Sequence, residues 1–415
     1  SSGLINWAIQ LRLGDKKKDQ VMASRKAFWI GLATTVLLAM PLTAQAQPPY
    51  ITTDTNTTLV SFNDGEAGAL VAGSGAVVAD SLTVINLSPN SPPVIKTVYE
   101  SVATTLLGAP HATITGHYAV VTNHTLRPNE NLSFVDVDSP AVGKNQVVIM
   151  DLRTLEVTDT LQLDTSPWLA KPVGDGNRVI IGLSNGWLVI TVDTEGGIVK
   201  KTYSEFDLTI MSFDISSDQT SILAGVQGHS GEWWLAKYLL ADDDTVVLEG
   251  KTTTNDFFVD APFAPRIAPN GKTALVLNSG GISDGLLDDV VVVDLTENIV
   301  VHSVGQVSDG LESVAIHPSG EFAVISGLNA MPWSVTSHLA VISLLSDSAE
   351  LLYSLPIEAL PEGIEFSKSG EQLFVGSTLA NHISVYKVEG MMLTRLPQVL
   401  PVGEGHVALV IGFGR

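Results

Sequence analysis

The chain contains no cysteine. This excludes disulfide frameworks, thiolate zinc sites, iron–sulfur clusters, c-type haem attachment and cysteine nucleophiles. Basic residues are scarce, since 22 Lys and Arg stand against 44 Asp and Glu and give a formal net charge of −22. Nucleic-acid binding needs a basic surface. We therefore expect a small-molecule ligand or a protein partner, and no nucleic acid.

Catalytic motifs are also lacking, because the sequence has no G-x-S-x-G, H-E-x-x-H or P-loop pattern. The catalytic residues thus stay unknown at this stage. No long amphipathic helical pattern occurs after Leu42. The apolar segments there are short, rich in β-branched residues and separated by Gly, Asn, Asp and Ser, which indicates strands.

The N-terminal part has the order of an export signal. Arg25 and Lys26 precede an uncharged apolar run to Leu42, and a small-x-small site ends at Ala46. This pattern predicts a signal peptide over residues 22–46, with an uncleaved anchor helix as the alternative. We expect residues 1–21 to be upstream translated sequence or a cloning remnant, with a genuine amphipathic extension as the alternative. Residues 47–415 would form one exported domain, periplasmic or extracellular, without a membrane span and monomeric.

A repeat organises this domain. Its clearest copies, 311–327 and 361–376, each hold a strand, a polar turn that ends in Gly, and a second strand. Third and fourth strands follow, as at Val290–Asp294 and Ile299–Val304. Four antiparallel strands make one propeller blade. The sequence therefore predicts an all-β, seven-bladed β-propeller closed by N- and C-terminal strands in one shared blade, with eight blades as the alternative.

One residue at the start of each repeat serves as a marker of its position in the repeat. Successive markers are 42 to 57 residues apart. The seven markers are His111, Trp168, Ile210, Phe263, Glu312, Glu362 and His406. Since the first strand of each blade lines the central channel, the markers should surround one channel mouth. All except Ile210 are ligand-site candidates. Glu312, Glu362, His406 and His111 are also candidates for binding a divalent metal ion or for acid–base chemistry.

A second candidate site is the acidic, Gly-rich loop 279–289. Asp284, Asp288 and Asp289 offer the oxygen ligands that calcium prefers, although their spacing does not match an EF-hand loop. A solvated loop is the competing interpretation.

The segments 361–375 (PEGIEFSKSGEQLFV) and 383–386 (ISVY) resemble the YVTN-type, lactonase-like propeller repeat, as do 290–295 and 314–320. The resemblance implies a propeller, but it implies no catalytic residue. It leaves three functions open. The preferred one is an exported binding or interaction scaffold with its ligand site at the channel mouth. The alternatives are a lactonase-like or metal-dependent hydrolase that uses the His/Glu cluster, and a subunit associated with a periplasmic redox system.

Overall fold

Strands form wherever the sequence has short β-branched segments, and tight turns separate them. The computed structural model describes residues 50–65, 79–99, 102, 112–123, 126–128, 134–136, 145–174, 176–228, 230–253, 261–279, 286–297, 299–328, 336–345, 349–358 and 360–413. The predicted signal peptide and the preceding extension lie outside these residues. Within them, no helix is long and apolar enough to cross a membrane.

Thirty strands are present in the described part of the chain. The first described strands are β1 (Thr57–Asn63), β2 (Ser81–Ser88) and β3 (Ser91–Tyr99). Blade 1 follows with β4 (Ala112–Thr115), β5 (Tyr118–Asn123), an inserted hairpin of β6 (Leu126–Pro128) and β7 (Phe134–Asp136), then β8 (Gln146–Asp151) and β9 (Glu156–Gln162). Blade 2 contains β10 (Pro167–Val173), β11 (Arg178–Leu183), β12 (Gly186–Val192) and β13 (Ile198–Glu205).

The next blades repeat this four-strand order. Blade 3 contains β14 (Leu208–Ile215), β15 (Ser221–Gly228), β16 (Trp233–Leu240) and β17 (Val246–Thr253). Blade 4 contains β18 (Ala261–Ile267), β19 (Thr273–Ser279), β20 (Asp288–Asp294) and β21 (Ile299–Ser308). Blade 5 contains β22 (Leu311–Ile316), β23 (Phe322–Gly327), β24 (Thr336–Ser343) and β25 (Glu350–Glu358). Blade 6 contains β26 (Pro361–Phe366), β27 (Gln372–Ser377), β28 (His382–Glu389) and β29 (Met392–Pro401).

The last strand, β30 (His406–Phe413), closes the ring. It pairs antiparallel with β1, so the closing blade has the order β3-β2-β1-β30. The prediction of seven blades closed by strands from both termini is confirmed. The eight-blade alternative is wrong, because β1 is the second strand of the closing blade and not the first strand of another one.

The core is divided among the blade interfaces. Among the residues that the structure describes, seven buried hydrophobic clusters occur, and each joins two neighbouring blades. The second strands are buried almost throughout, as in β5 and β23, whereas outer strands such as β9 alternate between exposed and partly buried residues. This gradient follows from the ring geometry, since each blade is covered on both faces except along its outer edge.

Candidate functional site

A β-bulge recurs at the start of the innermost strands. The ladder to the second strand shifts register in six blades, between Pro167 and Ala170, Ile210 and Ser212, Phe263 and Arg266, Leu311 and Ser313, Pro361 and Ile364, and opposite Asn63. Six of the seven predicted markers lie at or inside these bulges. Bulges re-aim side chains and free backbone groups from the ladder. Gly363 adopts φ +76°, the left-handed region that such a distortion needs.

The two faces of the ring differ in their connections. We call the face at which the innermost strands begin the mouth face, and the opposite one the turn face. On the turn face, every connection between described strands has six residues or fewer. On the mouth face, connections reach 17 residues between β1 and β2 and 22 between β5 and β8. Variable loops on a rigid ring are where binding groups concentrate, so the mouth face is the functional candidate.

Two carboxyl groups from neighbouring blades interact at this mouth. Burial raises the pKa of Glu312 in β22 to about 7. Burial also raises the pKa of Glu362 in β26 well above its usual value, and repulsion from Glu312 and Asp64 adds to the rise. Like charges this close cannot both ionise easily. We call Glu312 and Glu362 the carboxyl pair.

His406 is completely buried at the first position of β30. Its Nδ1 lies 2.7 Å from the Ser61 hydroxyl, and its Nε2 lies 2.7 Å from the backbone carbonyl oxygen of Glu362. Burial lowers its pKa to about 4, so the ring is neutral at pH 7. Because a carbonyl oxygen only accepts, the neutral ring carries its proton on Nε2, and Nδ1 lies against the Ser61 hydroxyl, which also contacts the Asn63 amide oxygen at 2.7 Å.

The other predicted ligands are dispersed. His111 and Asp284 lie outside the described residues. Asp288 accepts a hydrogen bond from the Gly310 amide at 2.9 Å, and Asp289 accepts one from Ser303 at 3.0 Å. These two carboxylates are consecutive in β20 and therefore point to opposite faces of the blade. Among the described residues, no group of three or more His, Cys, Asp or Glu is arranged to hold a metal ion.

The three apolar markers differ in how deeply their side chains are buried. Trp168 and Phe263 are partly exposed, and the Trp168 indole donates to Ser184 at 2.9 Å. Ile210 is fully buried and packs among the residues between blades 2 and 3. Phe263 packs with its partly buried ring against the core between blades 4 and 5, whereas Ile210 lies wholly inside the core between blades 2 and 3.

The sequence analysis missed a second layer of charge in the channel. Lys171 and Asp214 form an ion pair at 3.3 Å between blades 2 and 3. Arg266 of blade 4 pairs with Glu365 of blade 6 at 3.5 Å and donates to the Val314 carbonyl of the intervening blade 5 at 3.0 Å. A pair that reaches past a whole blade must lie close to the channel axis. We call Lys171, Asp214, Arg266 and Glu365 the channel ion cluster.

The cluster residues influence one another's charge. Burial lowers the pKa of Lys171, with a further contribution from Arg266, and burial raises the pKa of Glu365. Each of the four follows a marker residue by three or four positions in its innermost strand. A charged residue that recurs at this position of the innermost strands is the sequence signal from which the channel ion cluster could have been predicted.

Comparison with solved structures places the fold among known propellers. A protein from Bacteroides fragilis with a provisional description as a 6-phosphogluconolactonase aligns over 87% of this chain and 99% of its own, at 13% identity and a TM-score of 0.59. The periplasmic gluconolactonase of Pseudomonas aeruginosa aligns over 86% and 99%, at 13% identity and a TM-score of 0.58.

A chain of hydrazine synthase from Kuenenia stuttgartiensis aligns over 74% of this chain and 90% of its own, at 17% identity and a TM-score of 0.54. No protein-family model and no curated protein sequence matches the chain. At these identities the likeness shows the fold alone, a β-propeller with lactonase-like structural neighbours.

Proposed function

We propose that this chain is an exported binding protein whose mouth face takes up a small, hydroxyl-rich, uncharged ligand at Glu312 and Glu362. The observation that carries the proposal is the carboxyl pair, two interacting acid groups on adjacent innermost strands. An ionised carboxylate accepts hydrogen bonds and a neutral one can donate as well. Together they can recognise the alternating donors and acceptors of a sugar-like molecule.

The aromatic side chains opposite support the same ligand class. Trp168 and Phe263 are partly exposed at the mouth ends of β10 and β18. Sites for small ligands combine apolar walls with a few placed polar groups. A flat aromatic ring suits the C–H face of a sugar ring, while the carboxyl pair suits its hydroxyl edge.

Charge favours a neutral ligand over a phosphorylated or carboxylated one. Among the described residues, the inner rim contributes Glu312, Glu362 and Asp64, and all three are acidic. Lys171 and Arg266 are already paired with Asp214 and Glu365 in the next layer of the channel. With a net charge of −22, the protein as a whole also repels anions.

Binding can be tested through tryptophan fluorescence and calorimetry with glucitol, methyl glucoside and glucono-1,5-lactone. We expect saturable binding in the parent chain and a loss of about ten-fold or more in Glu362→Ala. Glu321→Ala makes the same change on the turn face and should bind like the parent. Binding that is absent in the parent, or unchanged in Glu362→Ala, would exclude this site.

A second candidate function is lactone hydrolysis at the same site. The pKa of about 7 suits Glu312 to remove a proton from water, and the raised pKa of Glu362 suits it to protonate the leaving ring oxygen. Water would add to the lactone carbonyl, the ring C–O bond would break, and one hydroxy acid would form. The lactonase-like structural neighbours support this candidate.

Acid release from glucono-1,5-lactone, corrected for spontaneous hydrolysis, tests this second candidate. A hydrolase should lose about 100-fold in rate in Glu312→Gln. It should also prefer the neutral lactone to its 6-phosphate. Saturable binding without acid release would leave the binding function and exclude hydrolysis.

A further inference from the structure

The peptide group between Glu362 and Gly363 is held from both neighbouring blades. Its carbonyl oxygen accepts a hydrogen bond from His406 of the closing blade at 2.7 Å. Its N–H group donates to the Ser313 hydroxyl of blade 5 at 3.1 Å. Both polar groups of this peptide are therefore bound by side chains of other blades, at the bulge where the ladder of blade 6 is interrupted.

Ser313 is itself fixed on its own blade. Its N–H group donates to the hydroxyl of Ser326 at 3.0 Å, and Ser326 is completely buried in the second strand of blade 5. Ser313 also directly follows Glu312 in the chain. One residue therefore connects the backbone of one member of the carboxyl pair to the backbone of the other member.

Gly363 brings the bulge of blade 6 close to the closing blade. It adopts φ +76°, and a side-chain carbon at this position would lie 2.6 Å from the backbone nitrogen of Leu409. A residue with a side chain would therefore overlap with β30. The bulge has little room to move towards the closing blade, and the hydrogen bond to Ser313 holds it on the side of blade 5.

Blades 3 and 4 contain the same arrangement without this hydrogen bond. Ser212 has the ladder position in blade 3 that Ser313 has in blade 5, one residue after the bulge. At the ladder position of Gly363, blade 4 has Pro265, which has no N–H group to donate. The Ser212 hydroxyl is accordingly buried and has no hydrogen-bond partner among the described residues.

The two blade pairs also differ in the residues of their bulges. Met211 and Ala264 occupy the bulges of blades 3 and 4, where Glu312 and Glu362 stand in blades 5 and 6. The hydrogen bond from amide to hydroxyl thus occurs at the blade pair that carries the carboxyl groups. It cannot form at the equivalent blade pair, which carries none at these positions.

We propose that Ser313 is a positioning residue that holds the Glu362 carboxyl group at a fixed place relative to Glu312. This inference rests on the proposed function, in which both carboxyl groups bind one ligand. A site of fixed spacing suits a rigid ring better than an open chain, because the open chain loses conformational entropy on binding. We expect methyl glucoside to bind about five-fold more tightly than glucitol.

Carbon-13 NMR of the full chain without ligand tests the position of Glu362. Glutamate labelled with ¹³C at the carboxyl carbon reports each titration, and Glu362→Gln identifies the signal of Glu362. Ser313→Ala removes the acceptor of the Gly363 N–H group, so the bulge can move and the carboxyl group gains water. We expect the pH midpoint of Glu362 to fall by about half a unit or more, because hydration favours the ionised form.

Ser212→Ala is the matched control, because it removes the hydroxyl of the equivalent serine in blade 3. It should leave the Glu362 titration and the free energy of unfolding close to those of the parent chain. Ser313→Thr keeps the hydroxyl and should titrate like the parent. A Glu362 midpoint in Ser313→Ala that equals that of the parent, or equal shifts in Ser313→Ala and Ser212→Ala, would overturn the proposal.

Ligand titrations separate this inference from the proposed function. Ser313→Ala should weaken the binding of methyl glucoside by about five-fold and that of glucitol by less, and equal weakening would overturn the ring preference. A shifted Glu362 midpoint without any binding by the parent would exclude the proposed function and leave the role of Ser313 standing. Binding that Glu362→Ala abolishes, with a midpoint that Ser313→Ala does not move, would overturn the role of Ser313 alone.

Discussion

The Nε2 atom of His406 donates a hydrogen bond to the backbone carbonyl oxygen of Glu362 over 2.7 Å. The donor lies in the closing blade and the acceptor in the bulge of blade 6. One contact therefore joins the closing of the ring to the backbone that carries the carboxyl pair. A change at His406 should affect both stability and the site.

His406→Ala should lower the free energy of unfolding by about 2–4 kcal/mol, because it opens a cavity and removes the hydrogen bond that the Glu362 carbonyl accepts from the ring. His406→Gln should cost less, since its amide can still donate towards Glu362. Urea unfolding followed by circular dichroism measures both. An equal loss of unfolding free energy in the two variants would show that the His406 ring stabilises the protein through packing and not through the hydrogen bond.

Gly376→Ala should be among the most damaging small substitutions in the chain. The added carbon would overlap with the His406 ring and lie 2.6 Å from the Glu362 carbonyl oxygen, inside any normal contact distance. Gly390→Ala is the matched control, because Gly390 has φ +59° and open space around it. The control should lose only about 1 kcal/mol from backbone strain. A midpoint of Gly376→Ala at or above that of the control would contradict the packing.

The contribution of Glu312 to stability should fall as the pH rises from about 4.5 to about 7, whereas His406, with its pKa lowered to about 4, contributes in the opposite direction below its usual pKa. The folded state keeps a proton on Glu312 over this range, whereas the unfolded chain has lost it, so the rise favours unfolding. Glu362 acts in the same direction and extends the effect to higher pH. Denaturant midpoints across the range measure the net slope of stability against pH, which should be more positive in Glu312→Gln than in the parent chain. A slope identical to that of the parent would contradict the raised pKa.

The channel ion cluster should contribute more than an exposed ion pair. Arg266→Met leaves Glu365 partly buried without its partner and should cost about 1–3 kcal/mol. The double variant Arg266→Met/Glu365→Gln should recover part of this loss in a double-mutant cycle. Lys387→Met breaks the exposed pair with Glu389 and should cost less than about 0.5 kcal/mol. Additive losses at Arg266 and Glu365 would show that the two do not interact.

The sequence predicted the ring well because the repeat is local. Polar turns that end in Gly, such as those at Gly320 and Gly370, define where a blade's first two strands meet. Six markers were found at the starts of innermost strands, which confirms the phase of the repeat. The closing blade could be predicted because strands that belong to no complete repeat remain at both ends of the propeller.

The site was harder to predict, because its partners are distant in sequence. Ser61 and His406 are 345 positions apart. Nothing near His406 indicates that both ring nitrogens bind other residues of the protein. The bulges also made the site hard to predict, because they change which side chains of an innermost strand point into the channel. Lys171 and Arg266 therefore had no assigned direction before the structure was available.

The short connections of the turn face have a practical consequence. A surface made only of tight turns can be attached to a solid support or joined to a second domain without covering the opposite face. Surface cysteines introduced at exposed positions such as Lys272 or Glu321 would give single attachment points in a chain that has no other thiol. The ring can in this way be oriented, with its channel entrance towards the solution, in a sensor or an affinity matrix.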